Sequence, residues 1–224
     1  MKKIAFTLAE TLIVMGIIGV VAALTLPNLN SSTANKEKVV KLQKIYSNLQ
    51  DAFGRAIAVY GPTDEWCTGL TAEACRKRYF ERVTEFMKFS KQCTVSDNCS
   101  LKFATGSSDG NTMIYGVILA DGAAIDIYGY LYGSADIMID IDGFNKGANK
   151  SCNDYFKLQY QPHNLKSEFY TSAYCSSRNK NFYGQSCAAW VLDFGNMDYL
   201  KADSSGKCPD GKTILDWTTN IACK

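Results

Sequence analysis

An α+β fold is predicted for this chain: a long N-terminal α-helix packed on an antiparallel β-sheet head that disulfides staple. Three observations predict it. The N-terminal part carries an apolar run followed by an apolar stripe at helical spacing. Later segments are short, β-branched and aromatic, and are separated by turn residues. All nine cysteines lie beyond the apolar run, which suits a stapled head in an oxidising compartment. Helix first and strands later is an α+β order, and 224 residues suffice for one domain plus an anchor.

The first element is "KKIAFTLAETLIVMGIIGVVAALTLPNL", Lys2 to Leu29. As a helix, Phe6 to Leu26 would span roughly 31 Å, the thickness of a bilayer core. Lys2 and Lys3 ahead of it orient the N-terminus to the cytoplasm and the rest of the chain outward. A secretory signal peptide cut near Ala22-Ala23, or a plain anchor, would have the same outline. Neither accounts for Glu10, since a carboxylate deep in lipid costs about 2.5–3.5 kcal/mol. The cost is smaller near the interface, where Glu10 would sit.

The residues Ala5-Phe6-Thr7-Leu8-Ala9-Glu10, after a short basic leader and before an apolar run, resemble the class III signal of type IV pilins and type II secretion pseudopilins. The resemblance covers about one eighth of the chain. It implies cleavage between Ala5 and Phe6 by a prepilin peptidase and N-methylation of Phe6. Ala5 stands where the family has glycine. Glu10 becomes the family's acidic residue, and Pro27 its helix-kinking proline. In that setting Glu10 would pair with the terminal amine of a neighbouring subunit. At ~4 Å and an effective dielectric of ~20 the attraction is about 4 kcal/mol, comparable with the insertion cost.

Beyond the polar stretch Asn28–Ser32, apolar residues recur at Val39, Leu42, Ile45/Tyr46, Leu49, Ala52/Phe53, Ala56/Ile57 and Tyr60. That spacing predicts a helix with one buried face, ended by Gly61-Pro62. A second helix is predicted in "TAEACRKRYFERVTEFMKF", with Ala74, Tyr79, Phe80, Val83, Phe86 and Met87 inward. Its Arg76-Lys77-Arg78 run reads as a solvated face neutralised by Glu73, Glu81 and Glu85. Strands are predicted in "LKFAT", "TMIYGVILA", "AAIDIYGYL", "DIMIDI", "YFKLQY" and "AAWVLDF", with Asp121-Gly122 as a hairpin turn. The tail from Lys201 lacks periodicity and is expected to be loop held by disulfides. The expected organisation is therefore a leader over 1–5, a transmembrane and assembly half-helix over 6–29, an amphipathic half over 30–60, and a head over 61–224.

The cysteines are Cys67, Cys75, Cys93, Cys99, Cys152, Cys175, Cys187, Cys208 and Cys223. No C-x-x-C occurs and His163 is the sole histidine, so zinc spacing is missing. Disulfides are expected, with Cys67–Cys75 and Cys93–Cys99 as short loops. Spacing alone does not give the connectivity, since any eight of the nine still allow about 105 pairings, and the odd count leaves at least one thiol free or bonded elsewhere.

In the head, Asp140 to Asp154 repeats oxygen-bearing side chains around glycines. Its D-x-D-G start is that of an EF-hand, but Ser151 holds the place of the essential glutamate. The stretch is similar to the D-x-[DN]-G loop of major pseudopilins, which implies calcium on Asp140, Asp142, Asn145, Asn149 and Asp154. The same residue types build Asx-turns between strands, and that reading stands beside the metal. "GSSDG" at 106–110 matches G-x-S-x-G, yet a strand rather than a helix is predicted after it, which argues against a nucleophile elbow. His163 is read as an exposed residue with no catalytic task. The net charge is +2, from 24 basic and 22 acidic side chains, two of the former being Lys2 and Lys3. No basic surface points to nucleic acid.

These readings converge on a non-enzymatic subunit anchored in a bacterial inner membrane and polymerising into an outward filament. Its implied partners are other pilin-like subunits, a prepilin peptidase and inner-membrane assembly machinery. A minor or tip subunit that binds a surface, ligand or DNA is the alternative.

Overall fold

A computed structural model describes residues 8–94, 115–143, 152–162, 164–166, 185–203, 205–216 and 218–223. The chain forms two compact units, Met1–Glu37 and Lys38–Lys224. Helix α1, Leu8–Tyr60, begins in the first and ends in the second.

In the first unit the large apolar side chains between Leu12 and Val21 are more than half exposed. Among the described residues, no helix is long and apolar enough to cross a membrane. The backbone at Glu10 and Pro27 is helical.

The second unit is α+β, with an antiparallel sheet and disulfides. Its strands are β1 (Lys91–Thr94), β2 (Tyr115–Ile118), β3 (Ala124–Gly129), β4 (Ala135–Asp140), β5 (Tyr155–Gln161) and β6 (Asn164–Lys166). They pair in chain order, each antiparallel to the next. Period-two alternation puts Val117, Ile125, Ile127, Ala135, Ile137, Ile139, Phe156, Leu158 and Tyr160 in the core. The predicted α1 stripe meets them: Val39, Leu42, Ile45, Leu49, Ala52, Phe53 and Ala56 are buried in the same cluster. Ser90, Leu119 and Ala123 hold the chain around Asp121-Gly122, where Leu119 N–H donates to Ala123 O at 2.8 Å, as the hairpin reading requires.

Gly61 closes α1, its N–H donating to Ile57 O at 3.0 Å. The chain then folds around Trp66, whose indole N–H donates to Gly61 O at 2.8 Å. Helix α2, Ala72–Thr84, is capped by Thr71, whose hydroxyl oxygen accepts from Ala74 N–H. Tyr79, Phe80 and Val83 are buried as predicted, but Ala74, Phe86 and Met87 are only half-buried; Cys75 and Thr84 take the inner positions instead. Phe86 and Met87 lie beyond the end of α2, and the Cys67–Cys75 bond holds Cys75 inward at its start.

The Arg-Lys-Arg run is not one solvated face. Only Lys77 behaves so, pairing with Glu81 at 3.8 Å on the surface. Arg76 lies 3.8 Å from the centre of the Tyr128 ring, and Arg78 donates to Trp66 O. At i, i+1 and i+2 a helix aims three side chains in three directions, so one charge run serves three environments.

"AAWVLDF" is helix and not strand: α3 spans Gln185–Phe194. Ala188 and Val191 face the main core, while Trp190 and Phe194 join a second cluster with Ala202, Cys208, Leu215 and Tyr199. Only a helix separates residues two apart onto different cores while aligning Trp190 with Phe194, whose rings meet edge-on at 4.8 Å. The tail is irregular, as predicted. The Cys208–Cys223 bond holds it, and so do Asx-turns at Asp203, Asp210 and Asp216.

Candidate functional site

The predicted acidic loop leaves the sheet at the end of β4 and returns at β5. Asp140 and Tyr155 are register partners, and Ile141 N–H donates to Asp154 O at 2.8 Å. Four ties fix the base of this loop. Cys152, in left-handed backbone at φ 69, is bonded to Cys187 of α3. Its carbonyl accepts from the Tyr199 hydroxyl at 2.8 Å. Its N–H donates to Tyr155 O. Lys38 of α1 donates from Nζ to Asn153 Oδ1 at 2.8 Å.

Asp140 and Asp154 are buried here, and Asp142 is half-buried. Asp140 Oδ1 accepts from Gly143 N–H at 3.0 Å, while its Oδ2 is buried without a hydrogen-bond partner among the described residues. Burial, with the neighbouring Asp142 and Asp154 carboxyls, pushes Asp140 up to about 7. Among the described residues, no three acidic, histidine or cysteine side chains are placed to hold a metal ion together. Asn145 and Asn149 lie outside the described residues, as do Ala5, Phe6, His163, Cys99, Cys175, the 106–110 motif and "LKFAT"; the side chains of Glu10 and Pro27 do too.

Of the proposed disulfides, Cys67–Cys75 is present. Cys93 is disulfide-bonded to a partner outside the described residues.

Asp140 belongs to a larger pattern of buried aspartates. Asp126, Asp136 and Asp140 occupy alternate positions in β3 and β4, so all three lie on the sheet face away from α1, and all three are buried. The signal is the isoleucine at every second place in "AIDIYG" and "ADIMID", which puts Asp126, Asp136 and Asp140 on the other face. Asp136 is satisfied: Lys157 Nζ lies 2.7 Å from Oδ2, Gln159 donates to Oδ1 at 3.2 Å and the Tyr130 hydroxyl donates to Oδ2 at 2.5 Å. Burial raises Asp126 to about 7, against the pull of the Tyr115 and Ile127 N–H groups and of Arg76. The chain matches no protein-family model, no curated protein and no solved structure.

Proposed function

We propose that this chain is a pilin-like structural subunit, cleaved before Phe6 by a prepilin peptidase and assembled from a bacterial inner membrane into a type IV pilus or secretion pseudopilus. The observation that carries this reading is the helical, wholly apolar surface from Leu12 to Val21, exposed at 53–73% per side chain. Such a surface is stable only in lipid or against other helices. Lys2 and Lys3 set its orientation, cytoplasmic at the N-terminus, and the disulfides of the head suit the periplasm or exterior. Glu10 is the assembly residue, neutralised by the Phe6 amine of a neighbour, and Pro27 stands at the position of the helix-kinking proline of pilins. The head has no enzymatic task.

Calcium at the Asp140 loop, on Asp140, Asp142 and Asp154 with Asn145 and Asn149, would require Asp142 and Asp154 to close in around Asp140, because the three carboxyls are not grouped to hold an ion. The buried Asp140 Oδ2 without a partner fits a cation, because a positive charge there would offset the burial of the carboxylate. A second reading, a tip subunit with a binding head, is favoured by one observation: Tyr132 stands 86% exposed on a turn of the head.

The deciding experiment is Glu10→Ala in the native cells. Processing and membrane insertion should persist while incorporation into filaments is lost. Normal incorporation, or an N-terminal sequence that still starts at Met1, removes the proposal.

A further inference from the structure

The turn between β3 and β4 is a fixed aromatic projection. Tyr130 N–H donates to Ser134 O at 2.8 Å and Gly133 N–H to Tyr130 O at 3.3 Å, closing it tightly. Gly133 adopts φ +84, and a Cβ there would stand 2.8 Å from Asp64 Cα, so the turn is seated on the segment after α1. Tyr132 projects from it 86% exposed, with Leu131 41% exposed beside it. Asp64 and Glu65 on the supporting segment are exposed as well. A ring held on fixed backbone loses little conformational freedom when a partner covers it.

Toward the other end of β3 lies a groove of about 280 Å³. Its apolar lining is Phe86 and Met87, just after α2, with Leu119 and Ile125 of the β2–β3 hairpin. Arg55 of α1 and Lys88 line it too, and both are exposed. Asp51 holds the Arg55 guanidinium at 3.0 Å. The groove is smaller than the roughly 300–1,000 Å³ of ordinary small-molecule sites and suits an inserted side chain. Its chemistry suits an aromatic one, since a thioether packs against a ring and a guanidinium is drawn to a ring face. From Ile125 to Tyr130 the strand runs roughly 17 Å, so Tyr132 cannot enter the groove of its own head.

We infer that Tyr132 of one copy of this chain inserts into the Phe86–Met87 groove of the next copy. Projection and groove are different patches of one molecule, so the contact is heterologous: each head gives a ring at one end of β3 and receives one near the other. Such a contact extends a series of copies rather than stopping at a pair. Charge agrees with it, because Asp64 and Glu65 accompany the projection while Lys88 stands at the groove. One inserted turn buries too little surface for a stable complex by itself, and repetition along a polymer supplies the rest. The inference deepens the filament reading, on which its place in a polymer rests, by naming the faces through which successive heads meet.

The test replaces Tyr132 in the full chain by the photo-reactive p-benzoylphenylalanine and illuminates it both in the native cells and as purified protein in detergent. Covalent dimers, trimers and longer species should form a ladder, with mass spectrometry placing the link on residues 86–88 or 48–55 of a second copy. Met87→Asp should lower the linked fraction about tenfold or more. Lys88→Glu should lower it several-fold, and adding Asp64→Lys with Glu65→Lys to that variant should restore it, which a folding defect would not allow. Absence of links, links to other proteins alone, or dimers joined through position 132 of both copies overturns the inference. Filaments that contain this chain but give no ladder overturn this contact alone. A ladder in detergent from a chain that the cells never build into filaments overturns the filament reading alone.

Discussion

Phe53 of α1 and Tyr160 of β5 stack with ring centroids 4.4 Å apart and planes 20° from parallel. Both are almost fully buried, so this pair is where the helix is fastened to the sheet. It joins residues more than a hundred positions apart and thereby fixes which face of the sheet becomes the core. Phe53→Ala should cost about 3–5 kcal/mol, the usual range for emptying an aromatic site in a core. Chemical denaturation of the head measures it, and a midpoint equal to wild type would show that the helix is not fastened here.

At Gly129 the sheet lies directly against Tyr79 of α2. A Cβ there would fall 2.3 Å from the Tyr79 ring, itself held by its hydroxyl on Thr63 O at 3.2 Å. The ring cannot give way without breaking that bond, so Gly129→Ala should destabilise by about 1–3 kcal/mol. The double variant Gly129→Ala/Tyr79→Leu should recover part of the loss. A single variant as stable as wild type would mean that the ring moves freely.

Asp126 makes stability depend on pH in an unusual direction. Its folded pKa is raised to about 7 by burial, above the unfolded value of about 3.9. Between these values the folded state binds more protons than the unfolded one, so stability is greatest on the acid side and is lost as pH rises through about 7. Each pH unit across that window is worth at most ~1.4 kcal/mol. Asp126→Asn should flatten the slope and raise the melting temperature at pH 8 (approximately the upper end of the titration). Parallel pH profiles for the two proteins would reject the assignment.

Calcium should raise the melting temperature of the head if the Asp140 loop holds it, through preferential binding to the folded state. The rise should vanish in Asp140→Asn, which keeps the size of the side chain but not its charge. No shift at millimolar calcium would leave the loop as turns alone.

The second cluster should come apart without the first. Cys208–Cys223 closes a separation of 15 residues, worth about 3 kcal/mol in a chain-entropy account. Asn196 ties the same region, accepting from the Trp190 indole at 3.0 Å and donating to Ile221 O at 3.0 Å. Cys208→Ser/Cys223→Ser should expose the tail to protease cutting while the Leu42–Phe156 core stays folded. Loss of both cores in one transition would show them to be a single cooperative unit.

The sequence alone determined what local period and turn chemistry can carry. The α1 stripe from Val39 to Ala56, the Gly61 stop, the Thr71 start of α2 and the Asp121-Gly122 hairpin are short-range patterns, each with its cause within a few residues; the Cys67–Cys75 bond was one of many pairings until the fold chose it. Only the tertiary structure decided the rest. "AAWVLDF" satisfies a strand by composition, but two cores on opposite sides make it a helix. Arg76 and Arg78 look solvated until Tyr128 and Trp66 arrive from elsewhere in the chain. The aspartates at 126, 136 and 140 are visible among isoleucines in the sequence, yet their burial on one face depends on how β3 and β4 pair in space. Propensity is a sum over neighbours in sequence, whereas burial and electrostatic environment are set by neighbours in space, and those come into being only when the chain has folded.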